Sequence, residues 1–219
     1  MMAVPCITSV YGHAETECTI KKSRFIVTLQ EITDEKEAGR FIERLRKQYW
    51  DASHNCYAYQ IGSTGMVQKY SDAGEPAGTA GRPMLETLKK KGITNTIVIV
   101  TRYFGGIKLG AGGLIRAYSH VVSLGLDAAD IADYTPYDIV TVRSTYASVS
   151  LLERIALDYH IIIAGRDFSD TVLFTLHIPQ SQTVTIKTIL ADATNGSAQY
   201  ELLGMKTIPI LRPKTQSDS

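Results

Sequence analysis

Five glycines and three cations form the densest chemically informative segment of the chain. Gly105, Gly106, Gly110, Gly112 and Gly113 lie within nine positions. A glycine-rich loop leading into a helix can bring backbone N–H groups close to a phosphate. Flanking cations can add charge-assisted hydrogen bonds, and aromatic rings can stack on bases. The predicted phosphate- or nucleic-acid-binding residues are therefore Arg82, Arg102, Tyr103, Gly105, Gly106, Lys108, Gly110, Gly112, Gly113 and Arg116.

The glycine spacing does not match the standard nucleotide-binding motifs. After Gly105, Gly110 is followed by Ala111 rather than by the lysine of a Walker A loop. A dinucleotide-binding fingerprint starting at Gly110 fails because Ile115 occupies its third glycine position. The glycines are therefore consistent with phosphate binding or with close packing of a strand against a helix, and the sequence leaves both open.

The charges are distributed unevenly along a nearly neutral chain. The whole protein has 23 Lys and Arg residues against 22 Asp and Glu residues, a net charge of +1. Residues 82–116 hold seven basic residues against one acid, Glu86, a local balance of +6. The net charge excludes an indiscriminate polyanion binder but permits a localised contact with RNA phosphates. The lysines at 89–91 also suit a solvated helix end that complements the helix dipole.

A second group consists of His54, Cys56, Asp72 and Glu75, the only weak candidates for catalysis or metal binding. His54 and Cys56 would point to the same face of a strand, as a nucleophile–base pair or a mixed metal site requires. The chain has no HExxH or CxxC motif. We therefore favour a structural polar cluster and predict no catalytic residue, metal or cofactor. A binding protein is favoured over an enzyme.

These residues require an α+β chain of two domains, divided near Pro136. In the first domain, Asp34 and Glu37 predict a helix that begins with a capping box. Residues 81–92 predict a second helix, and residues 96–101 predict a buried strand. The second half predicts the order β-α-β-β-α-β of ferredoxin-like folds. We predict domains at 1–134 and 135–212 and a flexible tail at 213–219.

The remaining features predict a cytoplasmic protein without membrane contact. The first residues lack the basic and apolar regions of a signal peptide, and no apolar run approaches the roughly 20 residues of a membrane span. The three cysteines, Cys6, Cys18 and Cys56, are consistent with a reducing compartment.

Four segments resemble the IMPACT family, including its bacterial YigZ-like members. They are KSRFI at 22–26, DASHNCYAY at 51–59, SDAGEPAGTAG at 71–81 and TRYFGGIKLGAGGL at 101–114. Ala73 departs from the family pattern, which usually has a second acid there, and this weakens a mechanism based on paired carboxylates.

The resemblance implies a first domain similar to the second domain of a small-subunit ribosomal protein, an α/β sandwich. It implies a ferredoxin-like second domain similar to the last domain of elongation factor G. Both analogies favour an RNA- or ribosome-associated regulator of translation. The alternatives are an enzyme acting on a small phosphorylated ligand and a protein-interaction module, since eukaryotic relatives are linked to translational control through protein partners.

Overall fold

The computed structural model describes residues 7–214, which form a mixed α/β chain of two compact units. The first unit contains residues 7–134 and 209–214, and the second contains residues 135–208. The last residues before the tail therefore group with the first unit, whereas the sequence prediction assigned residues up to 212 to the second domain. The predicted tail at 213–219 lies mostly outside the described residues.

The first unit is built around a five-stranded antiparallel sheet in the order β2-β3-β6-β4-β5. Its elements are β1 (Ile7–Val10), β2 (His13–Ile20), β3 (Ser23–Glu31), α1 (Glu35–Gln48), β4 (His54–Ile61), β5 (Val67–Ser71), α2 (Gly81–Lys90), β6 (Thr96–Tyr103) and α3 (Ala111–Ala128). Helices α2 and α3 pack on one face of the sheet, and α1 packs on the other.

The β-branched run at 96–101 forms the central strand, as predicted. Val98 and Val100 belong to the core beneath α2 and α3, whereas Ile97 and Ile99 belong to the core beneath α1. A strand buried on both faces needs apolar residues at every position, which explains the unbroken run.

The predicted capping box begins α1. The Asp34 carboxylate accepts the backbone N–H of Glu37 at 2.8 Å, and the Glu37 carboxylate accepts that of Thr33 at 2.7 Å. The first bond satisfies an N–H group of the first helical turn, and the second holds Thr33, the residue before the cap, rather than the cap residue itself.

Strands β2 and β3 are joined by a two-residue hairpin whose tip packs against the glycine-rich loop. Lys21 and Lys22 form the tip and both have positive φ, 46° and 66°. This backbone is typical of a type I′ turn, which asparagine and glycine adopt more easily than lysine. A Cβ atom at Gly105 would overlap the Lys22 backbone. Gly105 therefore allows the loop to lie directly against the tip.

A long strand, β7 (Ile131–Ser144), begins in the first unit and ends in the second. Its residues 131–134 pair with β1, and its residues 137–144 pair with β9 (Val172–Pro179). Pro136, which has no N–H to donate, lies between these two paired segments.

The second unit continues with a 3-10 turn at Tyr146–Ser148, α4 (Val149–Asp158), β8 (Ile162–Phe168), β9, α5 (Thr183–Ala193) and most of β10 (Gln199–Leu211), whose last three residues group with the first unit. Its element order is the predicted β-α-β-β-α-β, and its strand order is β10-β7-β9-β8. Gln182 immediately precedes α5, and β8 extends to Phe168, which leaves a short connection to β9.

Between residues 7 and 214, no helix is long and apolar enough to cross a membrane.

Replacing Gly105 with alanine should destabilise the first unit by about 3 kcal/mol or more, because backbone on both sides would have to move. The matched control is Gly39→Ala in α1, where a Cβ meets nothing within 4 Å. This control should raise the free energy of unfolding by about 0.5–1 kcal/mol, because alanine favours a helix over glycine. Urea denaturation measures both, and equal effects would contradict the close approach of Gly105 to Lys22.

Candidate functional site

A buried ion pair lies at the centre of the first unit. The Glu75 Oε1 atom accepts hydrogen bonds from Arg102 Nη1 at 2.6 Å and from the Tyr118 hydroxyl at 2.8 Å. The Arg102 and Glu75 side chains are only 5% and 3% exposed. Removing two charges from water is costly, and only good geometry and further hydrogen bonds offset that cost.

Arg102 is held by contacts on several sides of its guanidinium. Its Nη2 donates to Ser23 Oγ at 3.2 Å, and the same oxygen accepts the backbone N–H of Gly105 at 3.3 Å. The guanidinium lies 5.5 Å from the Phe25 ring centroid and 5.6 Å from that of Phe104. Arg102 therefore connects β3 and β6 to the start of the glycine-rich loop.

Asp72 organises the loop between β5 and α2. Its carboxylate accepts three backbone N–H groups, from Gly78 at 2.8 Å, Ala80 at 3.0 Å and Gly81 at 2.9 Å. A Cβ at Gly81 would lie 2.8 Å from the backbone of Ser71. This loop closes tightly on itself, and the Asp72 carboxylate is occupied in closing it.

His54 and Cys56 lie on β4 beside the same loop. Cys56 Sγ is 2.9 Å from the Asp72 carbonyl oxygen and 3.4 Å from the Tyr118 hydroxyl. His54 Nδ1 is 3.0 Å from the Ala73 carbonyl oxygen, and its Nε2 is 3.8 Å from Glu75 Oε1. The four residues singled out from the sequence thus lie together. The Glu75 cluster comprises Ser23, His54, Cys56, Glu75, Arg102 and Tyr118.

Burial keeps two members of the Glu75 cluster protonated. Removal from water raises the pKa of Cys56 to about 12 and raises the pKa of Tyr118 far above its ordinary value. A thiol with such a pKa is not the thiolate that acts as a nucleophile or metal ligand near neutral pH. Tyr118 in turn remains a hydrogen-bond donor to Glu75. Within residues 7–214, no group of three or more His, Cys, Asp and Glu side chains is placed to hold a metal ion.

The predicted phosphate-binding residues separate into buried and exposed sets. Arg102 is buried against Glu75, so its guanidinium faces the protein interior rather than a ligand at the surface. Tyr103 is half-buried and donates its hydroxyl to Asp51 at 2.9 Å. Gly112 and Gly113 were predicted in the loop but lie in the first turn of α3. Gly105, Gly106 and Gly110 precede this helix, and the exposed cations are Arg82, Lys108 and Arg116.

Two depressions flank α3. The α2–α3 groove, about 630 Å³, is lined by Arg82, Pro83, Glu86, Lys90, Lys91, Ile115 and Ser119 among others. The hairpin cavity, about 270 Å³, is lined by Ile20, Lys21, Leu109, Gly113, Arg116, Ala117 and His120. Sequence reasoning missed Lys21 and His120, which belong to no motif and meet Arg116 only through folding.

Several of these cations have no acidic partner. Lys89 pairs with Glu86 and Lys91 pairs with Asp127, both at 3.2 Å. Across residues 7–214, no carboxylate lies within 4.0 Å of the cationic groups of Lys21, Arg82, Lys90, Lys108 or Arg116. Positive charge is therefore available on both sides of α3.

A two-unit α/β chain with this loop arrangement has known relatives. The Impact N-terminal domain family matches residues 21–126, which include the Glu75 cluster and most of α3. Similar proteins include the Bacillus subtilis IMPACT family member YvyE, 41% identical over 85% of this chain and 86% of that protein. The Escherichia coli IMPACT family member YigZ is 36% identical over 82% of this chain and 89% of that protein. The chain belongs to the IMPACT family.

A solved structure of similar extent also matches. A crystal structure described as a hypothetical protein has a TM-score of 0.59 and 32% sequence identity, covering 90% of this chain and 97% of its own. The similarity therefore extends over both units in sequence.

Glu75→Gln should lower the free energy of unfolding by about 3–5 kcal/mol, because it leaves the buried Arg102 charge without a carboxylate. Tyr118→Phe should cost about 1–2 kcal/mol, since it removes one hydrogen bond to that carboxylate. Chemical denaturation measures both.

The control is Glu17→Gln, which breaks the Glu17–Arg24 pair. That pair has the same 2.6 Å separation, but its side chains are 58% and 54% exposed. Its loss should leave stability essentially unchanged, because water screens exposed pairs. Similar losses for both substitutions would contradict the role assigned to burial at Glu75.

In a variant carrying Cys6→Ser and Cys18→Ser, the remaining Cys56 should resist iodoacetamide at about pH 8 in the folded protein, because a buried thiol of raised pKa supplies almost no thiolate. Denaturant should restore rapid alkylation, which mass spectrometry follows over time. Rapid alkylation of the folded variant would show that Cys56 is accessible and ionised.

Proposed function

We propose that this IMPACT family protein is a cytoplasmic RNA- or ribosome-associated binding protein that regulates translation. The observation that carries the proposal is the unpaired positive charge on both sides of α3, at Arg82 and Lys90 in one depression and at Lys21 and Arg116 in the other. Neutralising phosphates with such cations releases counterions and favours binding of nucleic acid.

The distribution of charge favours α3 over the other cationic helix. Helix α1 also exposes cations, including Lys36 and Arg40, but Glu35, Glu37 and Glu43 are interspersed with them. A mixed surface of this kind produces a weaker field at a polyanion than a surface of one sign. The acids on the flanks of α3, Glu86 and Asp127, pair with Lys89 and Lys91 and, within the described part of the chain, leave the other cations of these flanks without an acidic partner. Support for the proposal therefore comes from the face of the sheet that carries α2 and α3.

The chemistry of the Glu75 cluster supports binding rather than catalysis. Asp72 and Glu75 were the acids that a small-molecule enzyme would use as a base. Asp72 is occupied by three backbone N–H groups, and Glu75 by Arg102 and Tyr118. A general base has to reach the proton of a substrate, and these contacts already occupy both carboxylates.

The fold assignments form part of the same proposal. The α-helix-covered sheet of residues 7–134 corresponds to the α/β sandwich of the ribosomal protein's second domain. Residues 135–208 correspond to a ferredoxin-like domain similar to the last domain of elongation factor G. Support for the latter comes from the strand order β10-β7-β9-β8 and from helices that follow β7 and β9. Both similar domains belong to components of translation, so the fold supports the proposal by analogy.

The first test measures the affinity for a single-stranded RNA of about 20 nucleotides by fluorescence anisotropy at several salt concentrations. The second asks whether the protein cosediments with 70S ribosomes. Affinity should fall linearly on logarithmic axes as salt rises. Replacing Arg82 and Lys90 with glutamine should weaken binding and reduce the slope by about one to two, because two phosphate contacts are lost.

The matched control replaces Lys36 and Arg40 with glutamine, the same change in charge on the opposite face of the sheet. It should leave affinity and slope near those of the unmodified protein. The proposed function is contradicted if RNA and ribosomes both fail to bind at low salt, or if the two double variants lose affinity equally.

A further inference from the structure

The tip of the β2–β3 hairpin has an amino-acid sequence that its backbone disfavours. Lys21 and Lys22 occupy the two positive-φ positions, where an asparagine–glycine pair would be the least strained choice. Residues held in a costly backbone region concentrate at sites where the side chain has a use. The question is therefore what the lysine side chains do there.

Lys21 lines the hairpin cavity together with Arg116 and His120 from one side of α3. The other lining residues, Ile20, Leu109, Gly113 and Ala117, are apolar, and no acidic residue lines the cavity. An ammonium, a guanidinium and an imidazole thus share a cavity of about 270 Å³. Its lining offers only cationic groups and a ring nitrogen as side-chain partners for a ligand.

The position of the hairpin is set before any ligand arrives. Gly105 lies directly against the Lys22 backbone, and its N–H bonds to Ser23 at the other end of the turn. Ser23 in turn accepts a hydrogen bond from the buried Arg102. Holding a binding group in place in advance reduces the ordering cost of binding.

We propose that the hairpin cavity is a binding site for one phosphate group, with Lys21, Arg116 and His120 as its ligand-binding residues. A tetrahedral oxyanion accepts hydrogen bonds from several directions, and a guanidinium can donate two of them in parallel. The phosphate is either a phosphodiester of RNA or a free phosphate monoester. If the ligand is a phosphodiester of RNA, the site rests on the function proposed above and makes it more specific. If the ligand is a free monoester, the site is independent of that function.

The experiment titrates inorganic phosphate into the full chain and follows backbone amide signals by NMR, with sodium chloride added to equal ionic strength as the reference. The signals of Lys21, Gly113, Arg116 and His120 should shift together and saturate. Lys21→Gln with Arg116→Gln should weaken the affinity about tenfold or more, the effect of losing one or more charge-assisted hydrogen bonds. Lys36→Gln with Arg40→Gln should not change it. Equal shifts in chloride alone would overturn the proposal.

A second variant separates binding from turn geometry. Lys21→Asn with Lys22→Gly should raise the Tm, because the new pair suits the positive-φ backbone, and should weaken phosphate binding. Higher stability with unchanged phosphate affinity would show that the lysines only occupy the turn, and would overturn the proposal.

Competition then identifies the source of the phosphate. A short RNA oligonucleotide that displaces inorganic phosphate far better than a nucleoside monophosphate supports the phosphodiester. The opposite order supports a free monoester. RNA binding through Arg82 and Lys90 without any phosphate binding at the cavity overturns this inference alone. Phosphate binding without RNA or ribosome binding retains the site and removes the proposed function.

Discussion

The ion pair between Arg102 and Glu75 is the interaction on which the first unit depends. Arg102 comes from the central strand β6, and Glu75 comes from the loop that Asp72 closes before α2. Tyr118 of α3 and Ser23 of β3 add further hydrogen bonds to the pair, and Arg102 Nε is the one guanidinium nitrogen left buried without a partner among the described residues. A charge buried without a partner would be far more costly than this arrangement, so separating any of these elements from the pair would be strongly unfavourable. The surface features follow, because the same contacts hold Gly105 and the hairpin tip in place.

Much of the fold was predictable because hydrophobic periodicity and capping residues act locally. The capping box at Asp34 and the unbroken run of β6 identify their elements without tertiary information. The edge strand β5 was not predicted, because its residues are mostly exposed and it exists through pairing with β4. Similarly, β1 and the first residues of β7 stabilise each other through a pairing between residues 121 to 127 positions apart.

The site was predictable to a smaller extent, because its chemistry depends on burial. His54, Cys56, Asp72 and Glu75 do lie together, and burial raises the pKa of Cys56, which the sequence alone does not indicate. Arg102 looked like a phosphate contact because a charge beside a glycine loop is usually exposed. Its true partner is 27 residues earlier in the chain. Lys21 and His120 belong to no motif, and their proximity to Arg116 depends on the contact between the hairpin tip and the loop.

The structure shows which charges of the nearly neutral chain are paired and which are not. Part of the basic segment is neutralised internally, at Arg102, or by neighbouring acids, at Lys89 and Lys91. The remaining cations lie along the flanks of α3. The most direct test adds a short single-stranded RNA to the full chain and records which backbone amide chemical shifts change. We predict that the perturbed signals lie on both flanks of α3 and at the hairpin tip. Signals that stay unperturbed there, or that shift only within residues 135–208, would contradict the account.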